Sequence, residues 1–213
     1  MLSEKLVYLK REIVTYAGFI ESMFIKTMEA FIKSDLNELQ EIIKKDEEKA
    51  NHFEVEIDEL CTNIIALYEP KAKDLRIILM ILKMNNDLER MGDHCVNIAQ
   101  SARDLVNAGY NKYDLTDIYQ NTLQMYRNAL EAFINEDHLL AKKVCETDNI
   151  IDECKNSIYK TMVKMMTQDT KIIESALQIM RIAGNLERIA DLSTNISEDV
   201  IFIVKGKVIK HNL

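Results

Sequence analysis

The sequence predicts an all-α protein built as two tandem three-helix bundles related by internal duplication. Three observations carry that expectation. Turn residues are scarce, with one proline and five glycines in 213 residues, too few to punctuate a many-stranded chain. The abundant residues, Leu, Met, Lys, Glu, Ala and Ile, mostly suit helices. One stretch also occurs twice: Leu88-Glu89-Arg90 with Asp93 and Asn97 returns as Leu186-Glu187-Arg188 with Asp191 and Asn195, 98 positions later.

The elements follow in order. From Glu4 to Lys33, the residues Leu6, Leu9, Ile13, Tyr16, Ile20, Phe24 and Phe31 recur at mostly three- and four-residue steps. That spacing predicts one long amphipathic helix with a single buried stripe. Ser34-Asp35 interrupts it, and Asp35 through Glu38 reads as a capping box opening a second helix that reaches about Tyr68. Glu69-Pro70 ends the second helix, because proline disfavours helical geometry in the residue before it. A third helix runs from about Lys71 to Val106, and Asn107 through Asn111 forms a linker.

Then the plan repeats. Asp114 opens a fourth helix carrying Glu131-Ala132-Phe133-Ile134, which matches Glu29-Ala30-Phe31-Ile32 at an offset of 102. The fifth helix runs to about Thr167, residues 168–170 turn, and the sixth reaches about Val204. The offset falls from 102 to 98 between the two matches, so the first copy holds four extra residues, expected at the Glu69-Pro70-Lys71 turn. The halves divide as 1–108 and 109–213, each an antiparallel three-helix bundle.

Composition excludes several functions. A net charge of −8 argues against a nucleic-acid partner, which needs a basic surface to neutralise phosphates. Cys61, Cys95, Cys145 and Cys154 follow neither a disulfide nor a zinc spacing and read as free thiols of a reducing compartment. No secretory h-region opens the chain and no run of about 18 apolar residues is present. The expected location is cytoplasmic.

The repeated motif carries the chemistry. Leu88, Met91, Cys95, Ile98, Ala102 and Leu105 form a core seam, as do Leu186, Ile189, Ser193, Ile196, Val200 and Ile203. At 100° per residue, Glu89, Asp93 and Asn97 lie at about 100°, 140° and 180° from Leu88, on a face turned from the core. Glu187, Asp191 and Asn195 do the same. For one copy a solvated charged face is the simplest account. Carboxylates at i and i+4, however, repel by roughly 0.2–0.5 kcal/mol, and both halves keep them in identical spacing. A hard cation would resolve the repulsion, since carboxylate oxygens suit Mg²⁺, Ca²⁺, Mn²⁺ or iron.

Such a site needs a second acidic helix. In the second half Asp148 and Asp152 supply it. In the first half the register stays open: Glu47 with Asn51, or Asp46 with Ala50, with Glu54 and Asp58 further on. Arg90 and Arg188 read as outer partners of the site or as ordinary ion pairs with Asp93 and Asp191. His94 points about 100° away from Asp93, and His52, His138 and His211 lack a partner at ligand spacing. There is no Glu-x-x-His beside the motifs, as di-iron bundle enzymes require, and neither a phosphate-cradling glycine loop nor a nucleophile elbow. The chain is therefore expected not to be an enzyme.

With its duplicated triplet and twin motifs, Leu88 through Ala99 and Gly184 through Ile196, together with Phe53 through Asp58, the chain resembles the PhoU family of phosphate-transport regulators from the first helix to about His211. The resemblance implies two three-helix bundles whose acidic motifs hold multinuclear iron or zinc, or Mg²⁺. It implies a homodimeric negative regulator of high-affinity phosphate uptake and phosphate-starvation signalling. Such a regulator is an adaptor between the phosphate ABC transporter ATPase and a sensor histidine kinase, peripheral to the inner membrane only through those partners. Carried over by position, the metal ligands are Glu89, Asp93, Glu187 and Asp191, then Asp148 and Asp152, with Glu47 and Asn51 as the first-half counterpart. Asn51 departs from the family pattern, in which an acid is common there. The rival readings are a helical scaffold without metal, whose acids meet basic partner surfaces, and a di-metal bundle enzyme.

Overall fold

The computed structural model of the chain describes residues 1–110 and 113–205. Asn111 of the expected linker and His211 lie outside them. The described residues form α1 (Leu2–Lys33), α2 (Leu36–Glu41), a π-helical segment (Ile42–Asp46), α3 (Glu47–Tyr68), α4 (Lys73–Asn107), α5 (Thr116–Asn135), α6 (His138–Gln168), a 3₁₀ turn (Thr170–Ile172) and α7 (Ile173–Lys205). The short α2, the π segment and α3 are one continuous rod, so six rods are present, as the sequence predicts, and no strand occurs among the described residues.

The turn between the first two rods of each half is written twice. Ser34 and Glu136 end α1 and α5 in the left-handed region, at φ 56° and 50°. Asp35 then accepts from the backbone N–H groups of Asn37 and Glu38 at 3.0 and 3.1 Å. Asp137 accepts from those of Leu139 and Leu140 at 2.9 and 3.1 Å. Each aspartate thus satisfies two of the donors that a helix start leaves open. The expected capping box is only half formed. Glu38 reaches away to Lys26 at 3.1 Å. Glu69 ends α3 in the left-handed region at φ 45°, just ahead of Pro70.

Burial fixes how the two second rods correspond. Leu39 and Ile42 match Ala141 and Val144 at an offset of 102, all four buried. Beyond the π segment, Ala50, Ile57 and Cys61 match Ile151, Ile158 and Met162 at an offset of 101, again all buried. The π segment therefore absorbs one additional residue of the first copy, as a π-bulge does. The other three fall between there and α4. The sequence assigned all four to the turn at Pro70; one of them lies inside the helix.

Within the halves, α1, α3 and α4 pack together, as do α5, α6 and α7. The halves meet chiefly where α4 lies against α7, with α1 touching α5. Every residue of the two predicted seams on α4 and α7 is buried, as is the whole stripe of α1. The buried residues form one continuous cluster running through both bundles. Across α1 and α5, Phe24 and Tyr119 meet edge to face at 5.4 Å, and the buried Tyr126 hydroxyl donates to the Ala17 carbonyl at 2.6 Å. At the periphery, Glu136 bridges Lys10 and Lys73 at 2.9 and 3.1 Å.

Candidate functional site

Both motifs stand on the faces that helical geometry assigns them. Glu89 is partly buried and Asp93 and Asn97 are exposed; Glu187 is partly buried and Asp191 and Asn195 are exposed. The residue before each motif, Asp87 or Asn185, turns instead toward the contact between α4 and α7. Asp87 is 8% exposed, and burial, followed by the charge of Asp199, raises its carboxyl from 3.8 to about 6. Arg90 pairs with it at 4.0 Å rather than with Asp93. His94 is buried, and its Nδ1 donates to Asn185 Oδ1 at 2.9 Å. Asn185 in turn donates to the Arg181 carbonyl at 2.8 Å, which leaves its oxygen as the acceptor. His94 thus belongs to the contact between halves, and burial lowers its pKa.

The first acidic face is built on α3 and α4. Burial raises the carboxyl of Glu54, with further contributions from Asp58 and Asp93. Burial likewise raises Glu89, followed by Asp93 and Glu54. Among the second-rod residues weighed from sequence, Glu54 is thus the one whose charge bears on both motif acids. Asp58 lies one turn further and accepts from Asn85 Nδ2 at 2.9 Å. Glu47, half-buried, and Asn51, exposed, precede Glu54 on α3. By the offset of 101 they correspond to Asp148 and Asp152, the pairing that the resemblance implied.

A residue that sequence reasoning placed only in the core also takes part. Tyr16 of α1 is fully buried and its ring stacks on Phe53 at 5.2 Å. Its hydroxyl has no hydrogen-bond partner. Burial and then the charges of Glu54, Glu89 and Asp93 push its pKa up. A buried hydroxyl without a partner carries a desolvation cost of about 1–3 kcal/mol, so Tyr16 leaves a donor open toward the acidic face. The only signal in the sequence was a tyrosine within an otherwise apolar stripe.

The second acidic face, on α6 and α7, differs in one side chain. Burial raises Asp148, followed by Asp152 and Glu187. Asp191 rises from 3.8 to about 6, through burial and then Glu187, Asp148 and Asp152. Among these acids stands Lys155, whose Nζ lies 2.9 Å from Asp152 and 2.6 Å from Glu187. Those partners hold the lysine pKa up against the lowering effect of burial. By the offset of 101, Lys155 occupies the position of Glu54. Sequence reasoning passed over it because a lysine three residues after an aspartate looks like any i,i+3 surface pair.

Taken as donor sets for a hard cation, the two faces are unequal. As the side chains stand, no three His, Cys, Asp or Glu residues among those described converge closely enough to hold an ion. The first face nonetheless fits one in chemistry, with Glu54, Glu89 and Asp93 mutually repelling and the Tyr16 hydroxyl unpartnered. The second face does not fit in the same way, because an ammonium already stands against two of its carboxylates.

Fold and site together define a class: an all-α duplicated bundle with an acidic face on each half. Comparison with known proteins places it further. The PhoU domain matches twice, over residues 13–102 and 115–200. The phosphate-specific transport system accessory protein PhoU homolog of Aquifex aeolicus is 33% identical over 212 residues, covering 99% of this chain and 96% of that protein. PhoU homolog 1 of Thermotoga maritima is 33% identical, covering 97% and 93%. Among solved structures, PhoU from Pseudomonas aeruginosa superposes with a TM-score of 0.92 at 30% identity, covering 97% of this chain and 100% of that one. The phosphate transport system regulatory protein PhoU from Streptococcus pneumoniae also gives 0.92, at 26% identity. The chain belongs to the PhoU family.

Proposed function

We propose that this protein is a non-enzymatic accessory regulator of phosphate transport that restrains uptake and phosphate-starvation signalling when phosphate is plentiful. The observation that carries this reading is that the family match spans both halves of the chain, with relatives named as accessory proteins covered almost end to end. The mechanism is adaptor binding in the cytoplasm. The acidic faces dock on the ATPase of a phosphate ABC transporter and on a sensor histidine kinase, and the protein acts as a homodimer. No helix among the described residues is long and apolar enough to cross a membrane, which agrees with contact to the membrane through partners alone.

In the same reading the first acidic face binds divalent or multinuclear metal, iron, zinc or Mg²⁺. Glu54, Glu89 and Asp93, with Tyr16 behind them, are the groups that would hold it in the first half. Asp148, Asp152, Glu187 and Asp191 are the corresponding acids of the second, and Glu47 and Asn51 flank the first. Bound there, a cation would supply charge neutralisation, letting α3 and α4 present a fixed surface to a partner.

The test is co-purification of the chain with a phosphate-transporter ATPase and with a histidine kinase domain, beside metal analysis of the wild type and of Glu89→Gln/Asp93→Asn. Capture of either partner, with metal lost in the variant, is expected. Folded protein that captures neither partner refutes the adaptor role. Equal metal content in the two proteins refutes the assignment of the first face.

A further inference from the structure

The duplication sets two acidic faces side by side for comparison, and one position reverses charge between them: Glu54 in the first half, Lys155 in the second. The lysine is held, not free. Its side chain is 20% exposed and its Nζ lies within 3 Å of carboxylates on two different helices, Asp152 of α6 and Glu187 of α7. The carboxylate partner across the groove, Glu187, is equally sheltered. A tethered ammonium there does electrostatically what a bound cation would do, since it neutralises carboxylates that otherwise repel at short range. It also stands where an ion would have to sit to bridge α6 and α7. Among the described residues no lysine or arginine bridges the first face in this way; at the equivalent position that face adds a third acid, Glu54, and meets an unpartnered tyrosine hydroxyl.

We propose that Lys155 is a built-in counter-cation that closes the second acidic face to metal, so that the two halves are functionally unequal and metal enters through the first face alone. The proposal rests on the reading of the acidic faces as cation sites, and its test is arranged to separate the two ideas. In this arrangement the second half carries one fixed counter-charge against Asp152 and Glu187, whereas the charge of the first changes with ion supply.

The probe is Mn²⁺, followed by calorimetric titration and by metal-dependent shifts in melting temperature on the full chain. In a Glu89→Gln/Asp93→Asn background, the protein with Lys155 intact is expected to take up no Mn²⁺ at concentrations that fill the wild type. Adding Lys155→Met to that background opens the second face, tightening its Mn²⁺ affinity by about tenfold or more, the scale on which neighbouring groups tune metal sites. Lys155→Gln serves as a second variant should the methionine disturb folding, and Lys155→Arg, which keeps the positive charge, is expected to remain closed. Equal Mn²⁺ binding with and without the lysine overturns the proposal. So does a folded Lys155→Met or Lys155→Gln protein that still binds none. Wild type that fails to bind Mn²⁺ while the lysine-free background does would refute the cation reading of the first face and leave Lys155 as assigned.

Discussion

Asp87 offers a clean perturbation because the second half already contains the alternative, Asn185, at the same place. Its carboxyl is 8% exposed against α7 and is pushed up from 3.8 to about 6, first by burial and then by the charge of Asp199. At about 1.4 kcal/mol per pKa unit, ionised Asp87 costs the fold roughly 3 kcal/mol. Asp87→Asn removes the charge but keeps a polar group facing Asn195, and it gives up the 4.0 Å pairing with Arg90. A net gain of about 1–2 kcal/mol at pH 7.5 is therefore expected, or roughly 3–6 °C in melting temperature for a chain of this size. The sign with pH follows. An acid whose folded pKa lies above its unfolded one is protonated more readily in the native state, so the wild type loses this part of its stability as pH rises from about 4 to about 6. The variant lacks that loss. The advantage of Asp87→Asn should be full above pH 6 and fade toward pH 4, as read by urea or thermal melts across that range. A variant that melts lower than wild type at pH 7.5, or an advantage constant across pH, refutes the argument.

Further expectations concern the packing and the caps. Leu186→Ala empties a fully buried seam position and should destabilise by about 3–5 kcal/mol in urea melts. Asp35→Ala and Asp137→Ala each leave two helix-start N–H groups uncapped and should cost about 1 kcal/mol apiece by thermal unfolding, similar in size because the two turns are copies. Glu136→Gln breaks both bridges to Lys10 and Lys73, yet the acid is 36% exposed. Its effect should stay under about 1 kcal/mol and shrink further in high salt.

Periodicity alone delivered the six rods, both seams and the outward face of the motifs, because burial on a helix follows spacing in the chain. It did not settle how the second rod of the first half is phased, since a π-bulge has no local signature and shifts the register by one residue without breaking the apolar pattern. Contacts between distant segments were equally hidden. Nothing in the sequence says that Tyr16 faces Glu54, that His94 turns to Asn185, or that Lys155 reaches Glu187, because each pairing depends on how separate helices are set against one another. Arg90 illustrates the same limit at short range. Asp87 and Asp93 both lie three residues away, and only the burial of Asp87 against α7 decides which one it meets.

The π segment at Ile42–Asp46 acts like a dislocation in a crystal lattice, a local defect that keeps the surroundings in phase. Inserting one residue into an unbroken helix turns everything beyond it by about 100°, which would swing Glu54 away from α4 and expose Ile57. Confining the extra residue to one wide turn leaves Ala50, Ile57 and Cys61 still facing the core. The two halves should consequently differ in tolerance to a change of chain length. Deleting one residue within 42–46 would straighten the rod into ordinary α-helix with its faces kept, whereas the same deletion in the middle of α6 has no defect to heal and would rotate Asp148 or Lys155 out of place.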